Sequence, residues 1–160
     1  VKLFIMRHGE AEPDSVDGYD NTRRLTALGE REVRESGAWF AEHFGAVDCA
    51  FVSPYLRAQQ TADVVSEQWQ LKQRQTVDTI TPDADVDSVV SWLMAEAAVH
   101  GFEQLLLVSH MPLVSYLVSA LDARVAPPIF PTAGVAVIDV DVNVNRGCFQ
   151  RLVSTDALQR

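Results

Sequence analysis

Apolar residues fall along this chain in two rhythms. Short apolar runs, Leu3-Phe4-Ile5-Met6, Val47 to Val52 (broken only by Asp48) and Leu105 to Val108, alternate with longer stretches in which apolar positions recur every three or four residues. The runs have the length and continuity of strands buried on both faces, as parallel sheets require. The longer stretches read as amphipathic helices. One is predicted from Thr26, a capping residue, to about Phe44, with Val33, Gly37, Phe40 and Phe44 on one stripe and Gly45 ending it. A second follows Ser53-Pro54, read as an N-cap and a first-turn proline, and turns Ala58, Ala62, Val65 and Trp69 inward. A third starts at Asp85 or Asp87 and buries Val86, Val89, Val90, Leu93, Met94 and Ala97. A fourth opens at Pro112 and runs to about Leu121.

The remaining segments have other patterns. Residues 9–25 are polar, hold Gly, Pro and Asp, and are predicted as a long loop, a length that usually serves function. Residues 75–80 read as a short strand. Pro127, Pro128 and Pro131 stiffen a connection. Val135 to Val140 and Cys148 to Val153 then read as two strands around an Asn-Arg-Gly turn. Strand and helix alternate over most of the length, which predicts an α/β fold of three layers, α/β/α, around a mostly parallel central sheet. At 160 residues the chain is expected to form a single domain, 1–160.

Charge narrows the partners. Thirteen basic and 22 acidic residues give a formal net charge of −9. Such a chain is not expected to bind nucleic acid or an anionic membrane through general attraction. No stretch is long and apolar enough to span a bilayer. Cys49 and Cys148 are isolated, have no metal or redox spacing, and read as buried free thiols; this points to a cytoplasmic setting. The first strand begins with the first residues of this numbering, leaving no room there for a signal peptide. His43 and His100 read as surface residues near helix ends.

The chemistry sits where the strands stop. One run ends in Arg7-His8-Gly9, another in Ser53-Pro54-Tyr55-Leu56-Arg57, and a third in Ser109-His110-Met111-Pro112. In a parallel sheet these ends share one edge, and that edge is where ligands bind in open α/β folds. Two arginines, two histidines and helix N-termini would converge there. Guanidinium forks and helix N-termini suit a phosphate or similar anion. They suit a metal badly, since arginine repels a cation and coordinates none; no metal and no cofactor is expected. A neutral imidazole supplies a nucleophilic nitrogen.

Met-Arg-His-Gly-Glu, Ser-Pro-Tyr-Leu-Arg-Ala-Gln-Gln-Thr-Ala and Val-Ser-His-Met-Pro together resemble the histidine phosphatase superfamily, whose fold is phosphoglycerate-mutase-like. The short length, Thr26-Ala27-Leu28-Gly29 after Arg23, and the Ser-His-x-Pro-Leu-Val form resemble its SixA branch of phosphohistidine phosphatases. That resemblance implies that His8 is the nucleophile that becomes phosphorylated. It implies that Arg7, Arg57 and His110 line the phosphate pocket. Arg23 is implied as a further phosphate or substrate contact, with Arg24 as the alternative. Partners implied by the resemblance are phosphohistidine-carrying proteins, either phosphotransfer domains of signalling relays or phosphocarrier proteins.

Many larger members of that superfamily protonate the leaving oxygen with a carboxylate placed after the third strand. The corresponding stretch, Ile80-Thr81-Pro82, has none. Asp83, Asp85 and Asp87 read as a helix start, and Glu10 and Glu12 remain open as acids. An alkoxide needs that proton, worth about 10²–10⁴-fold, whereas imidazole leaves phosphorus easily. Phosphohistidine of a partner protein is therefore the expected substrate. The rival reading is a small-molecule phosphomonoesterase or mutase with the same nucleophile. Two others are a binding module without turnover and a two-histidine metal hydrolase, the latter lacking carboxylate ligands at suitable spacing.

Overall fold

The computed structural model describes residues 1–155; residues 156–160 of the predicted domain lie outside the described residues. The order is β1 (Lys2–Arg7), α1 (Ala27–Phe44), β2 (Cys49–Val52), α2 (Leu56–Val65), β3 (Arg74–Thr76), α3 (Val86–His100), β4 (Gln104–Ser109), α4 (Leu113–Leu121), β5 (Val135–Asp141) and β6 (Arg146–Val153). They build one six-stranded sheet in the order β3-β2-β4-β1-β5-β6. The first four strands of that order run parallel, and β5 and β6 are antiparallel to their neighbours.

Alternation along β1 divides the core between the two faces of the sheet. Phe4 and Met6 point to the side covered by α1 and α2, with Val33, Phe40, Ala62 and Trp69. Leu3 and Ile5 point to the side covered by α3 and α4, with Leu93, Met94, Leu117 and Val118. Phe4 meets Phe40, Phe44 and Trp69 at centroid distances of 5.5, 4.9 and 5.0 Å. Each such buried ring contributes about 1.5–3 kcal/mol by leaving water. Among the described residues no helix is long and apolar enough to cross a membrane.

The helix signals in the sequence mostly act where expected. The Thr26 side chain accepts from the Gly29 amide at 2.9 Å, and Gly45 closes α1 with φ 71°. Asp85 caps α3 by accepting from Ser88 N. Three expectations change. The second helix starts at Leu56, with Tyr55 as its N-cap; the Ser53 hydroxyl is engaged elsewhere, with an imidazole. The strand expected over 75–80 is only Arg74–Thr76, an exposed edge. Cys49 is buried but Cys148 is exposed, because β6 is the other sheet edge.

Register sets the site. Parallel pairing puts Arg7 beside Ser109 and both Met6 and Val52 beside Val108. The strand-end motifs at Arg7, Ser53 and Ser109 therefore leave the sheet side by side. The chain after β1 presses against the start of α1. Thr26 N donates to Glu10 O at 2.9 Å, and a Cβ at Gly29 would lie 2.1 Å from that same carbonyl oxygen. Backbone cannot yield as a flexible side chain can. Gly29→Ala should destabilise the fold by at least about 1–3 kcal/mol, the usual cost of overpacking, read as a lower denaturant midpoint. An unchanged midpoint would show that this approach is not under steric constraint.

Candidate active site

Arg7, His8, Arg57 and His110 come together at the C-terminal edge of the parallel strands. His8 follows β1 and is fixed by its backbone on two sides: its N–H donates to Ser109 O at 3.1 Å, and its carbonyl accepts from Ala133 N at 3.0 Å. Its ring Nδ1 lies 2.7 Å from the Gly9 carbonyl oxygen. A carbonyl only accepts, so Nδ1 carries the proton and Nε2 keeps its lone pair. The Arg57 Nε–H donates to that Nε2 at 3.3 Å, which requires the same tautomer.

Burial keeps the ring neutral. The side chain sits in a site that leaves His8 7 % exposed. Desolvation is the largest cause lowering its pKa from 6.5 to about 4. The Gly9 hydrogen bond opposes this, and the charges of Arg57, Arg7 and Arg23 add to it. His110 is lowered to about 3, again chiefly by burial, then by His8 and Arg57. The two imidazoles lie 5.2 Å apart between ring centroids.

The guanidiniums are held by the loops. The Arg7 Nη1 donates to Phe130 O at 2.7 Å. Phe130 is fully buried within the proline-stiffened connection, so that acceptor is rigidly placed. Arg57, only 4 % exposed, donates from Nη1 to Asp20 O at 2.7 Å and from Nη2 to Asp20 Oδ2 at 3.2 Å. Burial lowers the pKa of both arginines, yet each stays charged across ordinary pH. Among the described residues, Arg7 Nε and His110 Nδ1 are buried without a protein hydrogen-bond partner. Buried polar atoms of that kind are rare and call for an explanation. An anion with several oxygens supplies one.

Arg23 joins the site from the 9–25 loop. Its Nη1 donates to Asp20 Oδ1 at 2.8 Å and its Nε to Glu12 O at 2.7 Å, and its charge reaches His8. Among the described residues Arg24 makes no such side-chain contact; its carbonyl accepts from Glu12 N. Glu10 turns its carboxylate toward Thr26 Oγ1, 3.4 Å away. Ile80 is fully buried, and its carbonyl accepts from Ser109 Oγ at 2.8 Å.

Asp20 and Glu32, which no sequence motif marks, and Ser53, whose pattern suggests only a helix cap, also belong to the site. Asp20 pairs with both Arg57 and Arg23. The Arg23 hydrogen bond and the Arg57 charge hold its carboxyl below the usual carboxylate range, so it is ionised and is not a proton donor at neutral pH. Its spacing of three residues from Arg23 in the short 3-10 turn Asp20–Thr22 was the available signal. Ser53 lies 2.6 Å from His110 Nε2. Glu32 on α1 accepts from Thr132 Oγ1 at 3.0 Å and from Glu10 N at 3.3 Å, and its charge favours the protonated form of Arg7. Nothing in local sequence marks that tertiary tie.

Protonation gives a direct check. Both histidines bind a proton in the unfolded chain below about pH 6.5 but in the native state only near 4 and 3. The unfolded state therefore holds more protons in that window, and stability is lost as pH falls through it. Proton NMR should find the two midpoints far below 6.5, and chemical denaturation should show stability intact above pH 6.5 and declining toward pH 4. Midpoints near 6.5 would contradict the buried, neutral pair.

The profile of the Histidine phosphatase superfamily (branch 1) matches residues 3–80. The chain is 35 % identical to Phosphohistidine phosphatase SixA of Escherichia coli (strain K12) over 146 residues, covering 91 % of this chain and 89 % of that one. It is 33 % identical to the Phosphohistidine phosphatase SixA homolog of Haemophilus influenzae over 151 residues, 89 % and 90 % of the two chains. The solved structure of the protein histidine phosphatase SixA complexed with tungstate superposes with a TM-score of 0.93 at 34 % identity, over 99 % of both chains.

Proposed function

The chain belongs to the histidine phosphatase superfamily, and from that membership we propose that it is a phosphohistidine phosphatase acting on a phosphorylated histidine of a partner protein through a phospho-His8 intermediate. The observation that carries this reading is the His8 tautomer. Nδ1–H is committed to Gly9 O, and Nε2 presents its lone pair beside Arg57.

The chemistry follows from those atoms. His8 Nε2 attacks phosphorus in line, and the donor's N–P bond breaks. Its electron pair stays on the departing imidazole, which leaves neutral when its other nitrogen carries a proton. Arg7, Arg57 and His110 receive the equatorial oxygens as charge shifts. Arg23 adds a more exposed contact at the mouth. The phosphorylated His8 ring is then cationic, and Gly9 O holds its remaining proton. Water attacks phosphorus next; the N–P pair returns to Nε2 and the water proton goes to the phosphate. Asp20 shares Arg57 and Arg23 with the incoming group, so substrate oxygens must take over its guanidinium contacts.

The leaving group decides the substrate class. Asp20 is an ionised carboxylate and His110 a neutral ring far from its titration range. Neither protonates an alkoxide well. An imidazole leaving group needs no such acid, so N–P bonds are favoured over sugar or alkyl phosphate esters. A phosphotransfer domain or a phosphocarrier protein would present such a bond. The tungstate found with the SixA structure is an oxyanion of phosphate-like charge and shape.

Two experiments test this. Turnover of a phosphohistidine protein should exceed that of p-nitrophenyl and sugar phosphates at equal concentration; rapid ester hydrolysis with no action on the phosphohistidine protein would overturn the substrate. His8→Ala should abolish turnover, and Arg57→Ala should cost about 2.7–4 kcal/mol in the transition state, as loss of one oxyanion donor does elsewhere. Retained activity in His8→Ala would remove the covalent route.

A further inference from the structure

Ser53 is not the N-cap of α2, which is Tyr55. Ser53 is fully buried, and its hydroxyl lies between two groups. Tyr55 N–H donates to Ser53 Oγ at 3.3 Å. On the other side Ser53 Oγ is 2.6 Å from His110 Nε2. A hydroxyl has one proton. Among the described residues no other acceptor for it is found, and the Tyr55 amide already occupies a lone pair. The proton therefore points at His110 Nε2, which must be unprotonated. The remaining proton of the neutral ring then sits on Nδ1, the buried atom with no protein partner.

We infer that Ser53 is a positioning residue that fixes His110 in its Nδ1–H tautomer and so makes this histidine a committed hydrogen-bond donor to the phosphoryl oxygens. The inference deepens the phosphatase reading, since it assumes that those oxygens lie at His110 Nδ1. Both catalytic-site imidazoles are thus locked with the proton on Nδ1, but by different partners and to opposite effect. In His8 the Gly9 carbonyl takes the Nδ1–H and leaves Nε2 unprotonated, its lone pair facing the Arg57 Nε–H. In His110 the Ser53 hydroxyl takes the lone pair and leaves an N–H free. The wrong tautomer at His110 would aim a lone pair at an anionic oxygen. The Tyr55 ring, 4.8 Å from the His110 ring, keeps the imidazole in place while the hydroxyl sets its proton.

This lock also removes His110 as a proton donor to the leaving group. Surrendering Nδ1–H would leave an imidazolate unless Nε2 were protonated in the same event, and among the described residues Ser53 is the only side chain bonded there. His110 therefore gives no acid help to a departing alkoxide.

Nitrogen-15 NMR of the ring tests the lock in the free protein, independently of any substrate. His110 should show a protonated Nδ1 and an unprotonated Nε2. In Ser53→Ala the signals should move toward the other tautomer or an average of both, while Ser53→Thr, which keeps the hydroxyl, restores the original pattern. Turnover of phosphoramidate, a minimal N–P substrate, should fall in kcat by up to about 10²-fold in Ser53→Ala, the lower range for losing one oxyanion donor, with KM changing much less. Protonated Nε2 in the unmodified protein would overturn the inference whether or not Ser53→Ala folds. So would an unchanged His110 tautomer and kcat in a folded Ser53→Ala. If the tautomer shifts as stated but neither variant nor parent turns over N–P substrates, the lock stands and the phosphatase reading fails.

Discussion

An imidazole kept neutral inside a nest of cations is the constraint around which this molecule is arranged. His8 can attack phosphorus only with a free lone pair, and water would protonate much of it near pH 6.5. Burial at the end of β1 supplies the largest opposing push, and the neighbouring guanidiniums add to it. The same arginines that disfavour the imidazolium also attract the oxyanion. One set of charges thus serves both the nucleophile and its target. The cost is a cluster of like charges in a buried place, and Asp20 offsets part of it through Arg57 and Arg23.

The sheet makes that cluster possible. Strands β1, β2 and β4 are parallel and in register at one edge, so three motifs far apart in sequence emerge as neighbours. Their interiors are apolar and fully buried, which leaves little freedom for the ends to drift. Loops then finish the arrangement: Phe130 O receives Arg7, Asp20 O receives Arg57, and Ala133 N holds the His8 carbonyl. A site built this way depends on rigid backbone more than on mobile side chains, as precise placement requires.

Much of this was legible in the chain itself. Continuous apolar runs revealed the central strands, and helical spacing revealed α1 and α3 with their caps Thr26 and Asp85. Strand-end position marked Arg7, His8, Arg57 and His110. What escaped was whatever depends on side chains choosing between local and distant partners. Ser53 carries a local capping signal, yet its hydroxyl bonds an imidazole 57 residues away. Cys148 lies in a strand-like pattern that did not show its strand to be the sheet edge, and so it is exposed. Asp20 sits in a polar loop whose composition said only that it is a loop, and Glu32 acts across 100 residues on Thr132. Residues Val77 to Ile80 looked strand-like because Ile80 is needed in the core, but only Arg74–Thr76 pair with β2.

Where the phosphoryl group resides during turnover tests the central idea most directly. Rapid quenching of the reaction with a phosphohistidine protein under alkaline conditions, which preserve N–P bonds, followed by phosphorus NMR and peptide mapping, identifies both the residue and the ring atom. His8 should carry the phosphoryl group at Nε2, because Nδ1 is tied to the Gly9 carbonyl. A phosphoryl group found on His8 Nδ1, on His110, or on no residue at all would contradict that assignment.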